Sequence, residues 1–121
     1  MRNKYEAMAL SAPRWFAERY VEIINRGAYG ELENLFAPDA VFLAPGRQEF
    51  HGRREIGDFY KRFLGEITPT IRIASYLEQQ NECVYELEAT TKDSSDFSLG
   101  AIDHATLDAN GQVVRFTVFT K

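Results

Sequence analysis

The chain has 121 residues and a mass of 13.9 kDa, enough for one domain with its own hydrophobic core. Hydrophobic residues make up 45% of it and charged residues 26%, a composition that excludes disorder and collagen-like fibres. Fourteen Lys and Arg against eighteen Asp and Glu leave a net charge of −4 and a pI near 5.2, so the basic footprint needed to bind a phosphate backbone is missing.

The first element is a helix. Ser11-Ala12-Pro13 places a capping residue ahead of a proline in the first turn, where the lost N–H has no partner to miss. Phe16, Tyr20, Ile23 and Ile24 then form one apolar stripe, and Gly27 supplies the stop. A short helical turn is expected over Glu31–Ala37, a brief strand over Asp39–Ala44, a turn at Pro45-Gly46 and a loop from Arg47 to Gly52. From Arg53 to Ile67 the helical period is clean: Ile56, Phe59, Tyr60, Phe63, Leu64 and Ile67 recur at spacings of three and four, with charged residues opposite. Such a stripe predicts a helix lying on a sheet, each large side chain contributing roughly 1.5–3 kcal/mol if fully buried.

After Thr68 the period changes to two. Strands are predicted over Thr70–Glu78, Glu82–Thr91, Asp96–Leu107 and Gln112–Lys121, separated by turns at Gln79–Asn81, Asp93–Ser95 and Asp108–Gly111. Helices followed by consecutive hairpins imply an α+β fold, with helices packed on one face of a strongly curved antiparallel sheet. The whole chain, 1–121, reads as a single domain with residues 1–10 as a frayed N-terminal extension. No window approaches the roughly 18 apolar residues of a membrane span. Met1–Leu10 shows no secretory signal pattern, and a cytoplasmic protein is expected. Cys83 has no second cysteine to bridge to, and with only His51 and His104 beside it no metal cluster is expected. No cofactor is called for; neither nucleic acid nor membrane is expected as a partner.

Alternation in the third predicted strand puts Phe97, Leu99, Ala101, Asp103, Ala105 and Leu107 on one face, a core-like face with an acid in its middle. An unpaired charge there costs several kcal/mol, so the carboxyl is protonated, hydrogen-bonded, or open to a cavity. Desolvation raises a carboxyl pKa, and a neutral carboxylic acid is a directed donor. The alternatives are a structural acid satisfied by backbone amides or by Arg72 or Arg115, or a register slip that turns Asp103 to solvent. Tyr20 and Tyr60 lie on the two helical stripes and each carries a hydroxyl that needs a partner once buried. If they converge with Asp103 on one pocket, three donors in an apolar cavity stabilise a developing oxyanion on a carbonyl substrate.

The runs Glu18–Gly27, Leu35–Ala40 and His51–Ile56 with Phe59-Tyr60, together with Ile102-Asp103-His104 and the Asn110-Gly111 hairpin, resemble the ketosteroid isomerase and SnoaL-like branch of the nuclear transport factor 2-like superfamily. The resemblance runs from about Pro13 to Thr120. It implies a cone-shaped α+β barrel, three helices closing a curved sheet around a deep apolar cavity, in a homodimer that binds a small apolar molecule. It further implies that Tyr20 is the oxyanion-hole tyrosine and Asp103 the protonated acid beside it, an arrangement known from the isomerases. Tyr60 then stands behind Tyr20, and Phe36 occupies a position where another tyrosine is often found.

Where the isomerases carry their general-base aspartate, this chain has Ala44, which cannot accept a proton. Asp103 itself, or Glu49 or His51 in the following loop, could replace it, or the substrate could need only electrophilic activation. His104 alternates away from Asp103 and is expected on the surface. The pocket is expected to be lined by Trp15, Phe16, Phe36, Phe42, Ala44, Phe59 and Phe63. Three functions remain open: a cofactor-free isomerase- or cyclase-like enzyme, a non-catalytic hydrophobic-ligand-binding module of the same fold, and an assembly protein using outer-face residues such as Val84, Ile102 and Phe119.

Overall fold

The computed structural model describes residues 10–120, so the expectations for residues 1–10 fall almost wholly outside the described residues. Helix α1 spans Ala12–Arg26. Ser11 Oγ accepts from the Arg14 N–H at 3.2 Å, and Gly27 closes the helix at φ 76°. There the Gly27 and Ala28 N–H groups donate to the Ile24 and Ile23 carbonyls, the paired bonds of a glycine-terminated helix. Asn25 then ties this end to the sheet: its amide donates to the Ile71 carbonyl at 2.9 Å and accepts from the Ile71 N–H at 2.8 Å.

The short helical turn lies earlier than expected. It is a 3₁₀ helix over Tyr29–Leu35, and strand β1 runs over Phe36–Ala44. Pro38 disfavours helical backbone at Ala37, so the chain is already extended three residues before the predicted strand start. Strand β2, Gln48–His51, occupies what was expected to be a loop. It pairs antiparallel with β1, Ala44 opposite Gln48 and Val41 opposite His51. Four mostly exposed residues carry no alternation that could have announced it.

Helix α2 spans Arg53–Ile67, as its period requires. Its stripe is only partly buried: Ile56, Tyr60 and Leu64 are in the core, whereas Phe63 is 45% and Ile67 37% exposed. Strands β3 (Ile71–Gln79), β4 (Glu82–Thr91), β5 (Ser94–Leu107) and β6 (Val113–Phe119) follow as a meander. The sheet order is β2-β1-β6-β5-β4-β3. Its β1–β6 pair is parallel, which makes the sheet mixed rather than wholly antiparallel.

Register shifts bend this sheet in β3, β5 and β1. In β5 the extra residue is Gly100, where Leu87 pairs with Ala101 but Glu88 with Leu99. A Cβ on Gly100 would stand 3.2 Å from Ala89 Cβ, so the close approach of the strands there suits glycine. The α+β architecture and the strong curl of the sheet are as the sequence implied. Its helical layer, among the described residues, is two α-helices and one 3₁₀ helix. Helix α1 packs Phe16 and Tyr20 onto Phe116 of β6, with ring centroids 5.9 and 5.6 Å apart.

Candidate functional site

The curl leaves a cavity of about 660 Å³ between α2, the end of β1 and the inner faces of β4, β5 and β6. That volume lies within the ordinary range for small-molecule sites. One end of the cavity is lined by buried groups and the other by exposed ones. At the buried end are Tyr20, Tyr60 and Asp103; the mouth carries Gln48, Glu66 and Lys92. Between them the wall is apolar, with Phe42, Phe59 and Phe63 on one side, and Ala44 opens onto the same space.

Asp103 owes its position to the inward alternation of Ala101, Asp103, Ala105 and Leu107 along β5. The alternation does not extend upstream as expected. The bulge at Gly100 inverts it, so Leu99 is 41% exposed and Phe97 lies half-buried under the Arg72 guanidinium, 4.0 Å from its ring centre. Asp103 is 1% exposed, and neither carboxylate oxygen has a hydrogen-bond partner. Arg72 pairs instead with Glu88 at 2.9 Å, and Arg115 is exposed on β6. The neighbours of Asp103 across the sheet are Tyr85 on β4 and Val118 on β6.

Burial dominates the ionisation of this carboxyl. It raises the pKa to about 8, while the phenols of Tyr85 and Tyr20 nearby draw it down in part. The acid is therefore mostly neutral at pH 7. Burial also holds the phenols of Tyr20, Tyr60 and Tyr85 protonated, with their pKa values well above 10. The hydroxyls of Tyr20 and Tyr60 are 2.8 Å apart. Phe36 stands beside Tyr60 with ring centroids 6.3 Å apart and adds no hydroxyl. A proton donated from Tyr60 to Tyr20 would leave the Tyr20 proton free for a ligand oxygen.

The other residues named from sequence separate into two groups. Phe42, Ala44, Phe59 and Phe63 line the cavity. Trp15, Phe16 and Phe36 do not; Phe16 and Phe36 are buried in the packed core and Trp15 is packed half-buried against it. The loop candidates also lie away from the site. Glu49 and His51 pair with each other at 3.1 Å, both exposed and outside the cavity wall. His104 is on the outer face, 2.7 Å from Glu82. Cys83 is buried, with its thiol pushed up to about 12, chiefly by burial. No group of three or more metal-ligating side chains comes together among the described residues, and none of their helices is long and apolar enough to cross a membrane. Tyr85 was not singled out from the sequence; its place in the alternating burial of β4, between buried Cys83 and Leu87, puts it on the inward face.

A curled sheet folded over helices encloses an apolar cavity whose buried polar groups gather at one end. The chain belongs to the SnoaL-like domain family, whose profile matches residues 17–116. Its fold is similar to that of RV0760c from Mycobacterium tuberculosis, with a TM-score of 0.77 and 11% identity over 92% of each chain. A protein from Sinorhizobium meliloti, provisionally assigned as a polyketide cyclase, superimposes with a TM-score of 0.75 at 14% identity, over 92% of this chain and 96% of that one. An NTF2-like protein of unknown function from Cytophaga hutchinsonii gives 0.71 at 10% identity, over 90% and 89%. No curated protein sequence matches significantly. At these identities the solved structures speak for the fold alone.

Proposed function

We propose that the protein is a cofactor-free small-molecule enzyme of isomerase or cyclase type, acting on a mostly apolar substrate that carries a carbonyl group. One observation carries this reading: a fully buried Asp103 with unfilled hydrogen-bonding capacity shares the buried end of an apolar cavity with the Tyr20–Tyr60 pair. A carbonyl oxygen seated there meets two O–H donors. As negative charge builds on it, both bonds strengthen in a space that excludes water, which favours the enolate-like transition state over the ground state.

Proton removal from carbon is a separate matter. Ala44 cannot perform it, and burial keeps the proton on most of the Asp103 carboxyl at pH 7. The chain's contribution in this reading is electrophilic activation and confinement of the substrate's chain or rings, which suits a cyclisation. In it an acidic C–H gives its proton to water at the cavity mouth, and the enolate so formed, its oxygen held by Tyr20 and Asp103, closes on a second carbonyl carbon of the substrate. The cyclase assignment of the Sinorhizobium meliloti protein of like fold is consistent with that.

The test is binding of a planar phenol such as equilenin or 2-naphthol, which mimics the enolate. Asp103→Leu and Tyr20→Phe should each weaken binding by about 1–3 kcal/mol. Unchanged affinity in both variants removes the oxyanion site and the reading with it. Ala44 in the cavity wall favours a second reading, a non-catalytic carrier of a hydrophobic ligand. An apolar carbonyl compound that copurifies and is recovered chemically intact after prolonged incubation supports the carrier; conversion of it supports the enzyme.

A further inference from the structure

Among the described residues Tyr85 is the largest side chain with less than 2% exposure, and its hydroxyl oxygen has no hydrogen-bond partner. It does not line the cavity. A phenol buried without a partner is disfavoured, and phenylalanine would fill the same space without that penalty. The nearest unmet need is Asp103. The two residues are direct cross-strand neighbours in the β4–β5 ladder, with side chains on the same inner face, where Cβ atoms lie roughly 4.5–5.5 Å apart. Both carboxylate oxygens are also unpartnered. Three unfilled polar atoms therefore belong to two facing side chains, one against the packed core and the other on the cavity wall.

We propose that Tyr85 is a positioning residue for Asp103: on closing the contact that the structure leaves open, its hydroxyl donates to one carboxyl oxygen and so leaves the protonated oxygen turned toward the cavity. This inference rests on the reading of Asp103 as a neutral donor. A neutral carboxyl has one oxygen that only accepts and one that carries the proton. Tyr85 has a proton to give, and its ordinary partner is the accepting oxygen. With that oxygen occupied from the β4 side, rotation of the carboxyl is restricted and the O–H faces the space shared with Tyr20. The other titratable side chains around Asp103 are Tyr20 on α1, Tyr60 on α2 and Cys83 on β4, all neutral; β6 presents Val118. Tyr85 is thus the donor on the side of the acid away from the ligand.

The measurement is the titration of the Asp103 carboxyl, followed by carbon NMR of aspartate-labelled protein, with Asp103→Asn assigning the signal. A donor to the carboxyl stabilises the ionised form more than the neutral one, so in Tyr85→Phe the midpoint should rise by about one to two pH units. Replacing Tyr85 with a difluorotyrosine, which keeps the shape and sharpens the donor, should lower it. A purely structural Tyr85 would alter stability and leave the midpoint where it is; that result in both variants overturns the proposal. A folding failure of Tyr85→Phe leaves the fluorinated protein to decide. 2-Naphthol affinity separates this from the parent reading. If Asp103→Leu and Tyr20→Phe weaken binding while both Tyr85 variants leave the midpoint unmoved, only the positioning role falls. Binding that ignores Asp103 and Tyr20 removes the oxyanion site, whatever Tyr85 does to the titration.

Discussion

Two walls of the same cavity carry opposite chemistry. On β5, Asp103 is a buried acid with free hydrogen-bonding capacity; on β1, Ala44 is a methyl group. The family resemblance implies a proton acceptor at the second position, where this chain has a methyl group; in the proposed reading the site donates hydrogen bonds to an electron-rich oxygen and takes no proton from carbon. The contrast is one of electrostatics rather than of shape, because both walls frame the same space. It also explains why fold similarity alone carries no activity here.

The largest test of that contrast concerns the acid wall and stability. Asp103 has an ordinary pKa of 3.8, which the folded chain raises to about 8. Below about pH 4 it is protonated in both folded and unfolded chains and adds no pH dependence. Between about 4 and 8 the unfolded chain loses the proton and the folded chain keeps it, so stability falls as pH rises, and above about 8 the loss is complete. The total is on the order of 5 kcal/mol. Asp103→Asn lacks this titration. Its stability relative to wild type, from urea unfolding at a series of pH values, should therefore rise by that amount between about pH 4 and pH 9; parallel curves would mean an acid that is not desolvated.

Restoring the missing half is next in size. Ala44→Asp places a carboxylate on the opposite wall, and a positioned base is worth about 10²–10⁴-fold in rate. Isomerisation of a β,γ-unsaturated ketone should rise above wild type by that order. No gain would show that the two walls do not frame one substrate. Smaller still is Tyr60→Phe. It removes the hydroxyl 2.8 Å from that of Tyr20 but not the direct donor, so 2-naphthol binding should weaken by about 0.5–1.5 kcal/mol, less than in Tyr20→Phe. Equal losses would place Tyr60 in direct contact with the ligand. At the exposed mouth, Glu66→Gln and Lys92→Gln should change that affinity by less than about 0.5 kcal/mol, in calorimetry at moderate salt.

Much of this architecture was legible because it depends on local rules. The Ser11 and Gly27 caps, the α2 period and the inward parity of Asp103 along β5 each follow from a few neighbouring residues, and each is present. Elements with weaker local signals shifted or were missed. Four exposed residues gave no pattern for β2, and Pro38 drew the chain into strand earlier than the apolar pattern suggested. Phe63 lines the cavity as expected, yet it is 45% exposed; the period tells which way it faces but not whether anything packs against it.

Tyr85 marks the boundary between these two kinds of knowledge. Pairing begins at Thr91 with Ser94, and a ladder continued without interruption from there would set Tyr85 opposite Gly100. Register shifts at Leu87/Glu88 and Ala89/Thr91 carry it to Asp103 instead. Sequence by itself determined which residues form helices, which face of each strand is apolar, and that an acid sits on the wrong one, since those properties are set by backbone geometry over a few residues. Only the tertiary structure decided that the sheet closes through a parallel β1–β6 pair, that Phe16 and Phe36 fill core while Phe42 and Phe59 line a void, and that a tyrosine faces the acid. Bulges, strand order and the hollow left by imperfect filling arise from the balance of many distant contacts, and no local window contains them.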